Sequence, residues 1–178
     1  MIQITKNISL KPITRSDSKD LYTLMKEIYF SAYQHFWKDK GNWYVNSQYS
    51  DKNIEKELLE ENADYYFVVF KDKIIGNFRI LWDQKLPGLE HKKSVKLHRV
   101  YLHPNTQGNG VGKTLLTWLE KTAEKKGCEL LWLDAMDEQP QAFQFYKKQG
   151  YQYHSHTFLE YDLLHNDVRK MSQIYKKL

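Results

Sequence analysis

One cysteine, Cys128, stands in a chain of 178 residues. A lone thiol closes no intramolecular disulfide and excludes a structural zinc site built on cysteines. Cys128 follows Gly127 at the end of a helical pattern with no histidine beside it, so it reads as a small buried residue and not as a nucleophile. Long apolar runs are lacking too. None approaches the roughly 20 residues that span a bilayer, and the opening MIQITKNISL has no basic-then-apolar build of a secretory signal. The expectation is a cytoplasmic protein without a membrane partner. Basic tracts are also absent: 27 Lys and Arg are interspersed with 22 Asp and Glu for a formal charge of +5, and no aromatic RNA-binding signature appears. Nucleic acid is therefore not the expected partner, and a polyphosphate-bearing small ligand accounts for the same excess.

What is present is a folding composition, with 41% hydrophobic residues and 13 tyrosines, 8 phenylalanines and 5 tryptophans spread through the chain. The length suits a single domain over residues 1–178. Alternation of Ile2, Ile4, Ile8 and Leu10 predicts one strand over Ile2 to Pro12. Leu21, Leu24, Met25 and Ile28, behind Ser16 or Asp17, predict a helix. Aromatics then crowd from Tyr29 to Tyr44, some as core and some able to wall a substrate pocket, with Tyr29, Tyr33 and Trp37 as the substrate candidates. Ser50 to Asn62 predicts a second helix whose glutamates Glu55, Glu57, Glu60 and Glu61 form a solvated outer face.

A hairpin is expected from Tyr65 to Phe70 and Ile74 to Trp82, with Gly76 marking a bulge or a close backbone approach. A strand ending at Val100, Tyr101 and Leu102 then meets Pro104 and a glycine-punctuated entry into a helix over Gly110 to Lys126. Leu130 to Met136 is a buried strand, Pro140 to Gln149 a helix closed by Gly150, and Tyr151 to Tyr161 and Arg169 to Lys177 are two last strands, the second with helical character as well. The mixed order predicts an α/β fold with a central sheet that is largely antiparallel before the central unit.

Backbone amides at a helix entry have no partner within the helix, which suits an anion. Three readings compete for QGNGVGKT, Gln107 to Thr114. A nucleotide P-loop needs glycine where Gln107 stands. A Rossmann fingerprint belongs directly after a first βα strand, whereas this loop lies past the middle of the chain and follows a hairpin. The third pattern is Gln-x-x-Gly-x-Gly, as Gln107, Gly110 and Gly112, and it is joined downstream by Ala142, Phe143, Phe145, Tyr146, Gly150 and Tyr151 in the order Ala-x-x-Phe-Tyr-x-x-x-Gly-Tyr, counted from Ala142 to Tyr151.

The two segments together resemble the GNAT superfamily of N-acetyltransferases, over about Tyr65 to Tyr153. The resemblance implies a GNAT-like fold: a central mixed and largely antiparallel twisted sheet flanked by helices, with a splayed strand pair that takes coenzyme A. It implies acetyl-CoA as co-substrate and no metal. Gln107, Gly108, Asn109, Gly110, Val111, Gly112 and Lys113 would cradle the pyrophosphate, with Lys147 or Lys148 able to add charge. Val100, Tyr101 and Leu102 would align pantetheine, and an N-H near Val100 would donate to the thioester oxygen. Tyr146 would hydrogen-bond the leaving thiolate.

Many relatives carry a glutamate as base on the strand before the loop. Lys96 and His98 stand in that region here. His98, two residues before Val100 and on its face in a regular strand, is the candidate base, with Asp134, Asp137 and Glu138 unranked beside it. His154, His156 and His165 read as ordinary strand and loop histidines, not as metal ligands. The expected activity is direct acetyl transfer to a primary amine of a small molecule, such as a polyamine, amino sugar or amino-acid derivative. A peptide or protein amine, or a non-catalytic acyl-CoA sensor, is the alternative, and a homodimer is compatible with either.

Overall fold

The computed structural model describes residues 1–178. Strands β1 (Ile2–Thr5), β2 (Ile8–Pro12), β3 (Ala63–Phe70), β4 (Lys73–Leu81), β5 (Ser94–Leu102), β6 (Leu130–Met136), β7 (Gln152–Phe158) and β8 (Lys170–Lys177) form one sheet in the order β1-β2-β3-β4-β5-β6-β8-β7. All neighbours are antiparallel except β5 and β6. Helices α1 (Ser18–Tyr33), α2 (Asn42–Gln48) and α3 (Asp51–Leu58) cover one face, and α4 (Val111–Lys125) and α5 (Pro140–Lys148) cover the other.

Strand β3 displays the logic of a sheet covered on both sides. Its run YYFVVF is continuously apolar, yet Tyr66 and Val68 pack with Leu115, Leu119 and Tyr146 on the α4 and α5 side, while Tyr65 and Phe67 join Leu21, Met25 and Ile54 on the other. Period-2 alternation thus sends successive apolar side chains into two different cores. The α4 stripe of Val111, Leu115, Leu116, Leu119 and Ala123 is buried as its spacing predicts.

Several expectations are corrected. Ile2 to Pro12 is a hairpin and not one strand, because the Thr5 hydroxyl accepts from the amides of Asn7 and Ile8 at 3.3 and 3.1 Å and turns the chain. Within the aromatic stretch lies α2, entered through Gly41 and held by Asp39, whose carboxylate accepts from the amides of Gly41 (3.0 Å) and Trp43 (2.5 Å). The helix after Ser50 stops at Leu58, with the Ser50 hydroxyl capping Asn53 N-H at 3.3 Å. The strand expected over Arg169 to Lys177 is present as Lys170–Lys177, and it is inserted between β6 and β7.

Two irregularities shape the middle of the sheet. Across from Val68 and Val69 the β4 register slips at Ile75, and a Cβ on Gly76 would lie 2.1 Å from the Tyr101 carbonyl oxygen. Gly76 is thus both beside a bulge and in close backbone contact. On the other side of β4, Arg79 pairs with Arg99 but Ile80 pairs with Leu97, so His98 is an extra residue in β5.

Candidate active site

The parallel ladder of β5 and β6 runs only from Ser94 and Leu130 to Leu97 and Leu133. Beyond it β5 stays with β4 as far as Leu102 and β6 stays with β8 as far as Met136. The two strands part, and the wedge between them leaves one backbone edge of Val100, Tyr101 and Leu102 without a strand partner. A cavity of about 400 Å³ occupies this wedge.

Its β5 wall includes Lys96, His98, Arg99, Val100 and Tyr101, and its β6 wall includes Asp134 and Met136. Tyr146 and Ala142 of α5 close one side. Tyr29, Tyr33 and Tyr44 of α1 and α2 close the other, joined by Tyr161 from the segment before β8. The rings pack on one another: Tyr29 stacks on Tyr44 with centroids 4.5 Å apart, and Tyr33 meets Tyr101 edge-on at 5.7 Å. The Tyr44 and Tyr101 hydroxyls are 3.3 Å apart.

Burial pushes the Tyr33 phenol up to about 12 and those of Tyr29, Tyr101 and Tyr146 well above their ordinary value. All remain neutral donors at any working pH. Tyr146 is 8% exposed and packed against Phe145 and Tyr151. Trp37 is corrected as a substrate contact: it lies behind the wall, donating Nε1-H to the Tyr29 hydroxyl at 2.9 Å and packing at a tilt against Tyr44 and Tyr161. Its position reflects an indole that finds its hydrogen-bond partner in the core.

At the wide end of the wedge the loop from Pro104 to Gly110 leads into α4. Gly110 takes the N-cap position at φ +72°, a left-handed conformation that suits glycine, and brings no capping side chain. The first intrahelical bond there is Thr114 N-H to the Gly110 carbonyl at 3.0 Å, so the amides of Val111, Gly112 and Lys113 precede the ladder. Gln107, Gly108, Asn109 and Gly110 are exposed, as is Lys113, while Val111 is buried and anchors the helix start. The result is an uncapped, positively polarised helix end at the mouth of the wedge.

The extra residue in β5 alters the side-chain parity expected for His98. Val95, Leu97, Val100 and Leu102 all face the α4 core, while His98 lies on the other face, with Nδ1 2.6 Å from Arg79 Nη1. Arg79 in turn holds Glu60, and Arg99 holds Glu57, with Gln48 Oε1 accepting from Arg99 at 3.2 Å. Glu57 therefore belongs to a buried ion-pair network and not to the solvated face of α3. Burial, and then the cations Arg99, Arg79 and Lys96, push the His98 pKa down to about 2.

Lys96 Nζ lies 2.6 Å from Asp134 and 4.3 Å from the centre of the Trp132 ring. Asp134 is the one carboxylate lining the cavity. Asp137 is turned away toward Ser172 and Lys170. The Lys96, Asp134 and Arg99 contacts join strands and helices far apart in the chain, and the Tyr161 segment arrives through a bridge of Leu164 to Trp37. No local pattern announces any of them.

Comparison with known proteins agrees with this geometry. The family model described as acetyltransferase (GNAT) family matches residues 21–151. The chain belongs to that family. Among GNAT relatives, an uncharacterised N-acetyltransferase of Methanocaldococcus jannaschii is 25% identical over 150 residues, covering 84% of this chain; the chain spans 62% of that relative's length. A spermidine N(1)-acetyltransferase of Thermoplasma acidophilum is 26% identical over 152 residues, covering 82% of this chain and 88% of the relative. The crystal structure of the PaiA N-acetyltransferase of Thermoplasma acidophilum in complex with coenzyme A superposes with a TM-score of 0.70 at 19% identity, covering 96% of this chain and 99% of that one. The GNAT fold, with its open mixed sheet between two helical layers, is thus shared across nearly the whole chain.

Proposed function

We propose that this GNAT protein transfers the acetyl group of acetyl-CoA directly to a primary amine of a small molecule. The observation that carries the reading is the wedge beyond Leu97 and Leu133, with the uncapped start of α4 at its mouth and Tyr146 in its wall. The amides of Val111, Gly112 and Lys113 suit the pyrophosphate, and the free edge of Val100 to Leu102 suits the amides of pantetheine.

In the reaction the amine nitrogen attacks the thioester carbonyl carbon. A backbone N-H of the open β5 edge stabilises the oxyanion that forms. The carbon-sulfur bond then breaks, and the Tyr146 hydroxyl donates a hydrogen bond to the departing thiolate. Because burial raises the Tyr146 phenol, further above a thiol of about 8.5 than a free tyrosine, a hydrogen bond and not full proton transfer is its contribution.

His98 suits the role of base poorly. A group held near 2, whose Nδ1 already accepts from Arg79, has little affinity for a further proton. Asp134 is the carboxylate available to receive the amine proton, directly or through water, with Lys96 Nζ 2.6 Å away. Thiol release from acetyl-CoA with a panel of primary amines tests the reading. Amine-dependent release of coenzyme A supports it, and tight acetyl-CoA binding with no release from any amine makes the protein a sensor instead.

A further inference from the structure

Given the transferase reading on which this rests, the charge and surface of the wedge narrow the acceptor. We infer that the acceptor is a monoamine carried on an apolar or aromatic body, and not a polyamine.

The first observation is charge. Three residues lining the cavity are formally charged, the cations Lys96 and Arg99 and the anion Asp134, a net of +1. Glu57, paired with Arg99, only brings the balance to zero. On the α3 side of the wall the acids are engaged, Glu57 by Arg99 and Glu60 by Arg79. Glu27, on the outer side of α1, is held by His103 at 3.0 Å. His98 is neutral and contributes nothing that attracts a cation.

The second is the wall itself. Fifteen of the 21 lining residues are hydrophobic, and those on the α1 and α2 side are dominated by the rings of Tyr29, Tyr33, Phe36 and Tyr44. The Tyr29 and Tyr33 hydroxyls are phenols held neutral by burial. Such rings can take one ammonium against a face and bury an apolar body edge-on or flat. They do not supply the separate counter-charges that a second and third ammonium need, since each buried cation loses hydration that an aromatic face only partly returns. A single amine, by contrast, needs only the one carboxylate present, and sheds its charge as it reacts.

Matched pairs of amines isolate the charge from size. With the full-length protein at fixed ionic strength, thiol release is measured with pentylamine against 1,5-diaminopentane, and with phenethylamine against spermidine and glucosamine. Acetyl-CoA binding is followed separately by calorimetry. The expected result is a kcat/KM at least tenfold higher for pentylamine and phenethylamine than for their polyamine counterparts. A diamine or spermidine used as well as or better than the monoamine overturns the inference and leaves the transferase reading standing, as does turnover confined to glucosamine. Acetyl-CoA binding without turnover of any amine overturns both.

Discussion

Arg79 Nη1 sits 2.6 Å from His98 Nδ1, so the imidazole accepts from a guanidinium and is locked as the tautomer with its proton on Nε2. Protonating it would set two cations against each other in a buried site. With a folded pKa near 2 against an ordinary value near 6.5, the unfolded chain binds the extra proton throughout that window. Stability therefore rises with pH across it and is lost as pH falls below about 6.5. The His98→Gln variant keeps an acceptor for Arg79 without a titrating ring. Its melting temperature should fall less between pH 7.5 and pH 5 than that of the parent, and equal declines would refute the coupling.

Tyr146→Phe removes the hydroxyl and keeps the ring in its apolar setting. Losing a hydrogen bond to a charged group costs about 1.5–3 kcal/mol, or roughly tenfold to a hundredfold in kcat. KM for acetyl-CoA and thermal stability should change little. Steady-state thiol release checks both, and an unchanged kcat would leave the tyrosine a packing residue.

Asp134→Asn keeps the shape of the site and cannot take a proton. Turnover should then depend on amine that has already lost its proton in solution, giving at least a tenfold loss at pH 7, by order of magnitude. The deficit should close as pH approaches the amine pKa of about 10. A pH-rate profile parallel to that of the parent would remove Asp134 from the reaction. The melting temperature reports separately on the broken ion pair with Lys96.

Lys113 is exposed in the first turn of α4, and Lys113→Glu should act with opposite signs on fold and ligand. An acid near a helix N-terminus stabilises it by about 0.3–1 kcal/mol, whereas a negative charge facing a pyrophosphate repels it. The expectation is an unchanged or slightly higher melting temperature with a KM for acetyl-CoA raised about tenfold, the rise shrinking in high salt.

Gly76→Ala would drive a methyl to 2.1 Å from the Tyr101 carbonyl oxygen, a backbone atom that moves only if β5 does. The cost should be about 1–3 kcal/mol of stability in chemical denaturation. Because the displaced residue lies on the open edge of β5, coenzyme A affinity should fall as well. Retained affinity in a folded variant would show that the edge tolerates the shift.

What could be read from the chain was what is local in it. The run from Gln107 to Gly112 and the segment around Tyr146 keep fixed spacings, so the helix entry and the α5 tyrosine are both legible in the sequence. Gly76 was legible as a special position for the same reason. The extra residue at His98 was not, since a bulge exists only relative to the partner strand, and one inserted residue sent that side chain to the other face. Trp37 and Tyr33 looked alike in the aromatic stretch; only the Tyr29 hydroxyl, which satisfies the indole, separates core from wall. Glu57 belonged to an outward-looking acidic run until Arg99, on a strand 42 residues away, turned it inward.

The ladder that joins β5 to β6 has a mechanical side. Five strands lie on one side of it and three on the other, and four residue pairs carry the hydrogen bonds between them. The sheet is thus a zipper stopped part-way. A ligand that lies along the open edge of β5 continues the zipper and adds bonds across the short ladder that joins the two parts of the sheet. Coenzyme A should therefore act as a tie rod as well as a reactant: amide exchange along β6 and β8 should slow when it binds, while the hairpin of β1 and β2 at the far edge keeps its own pace.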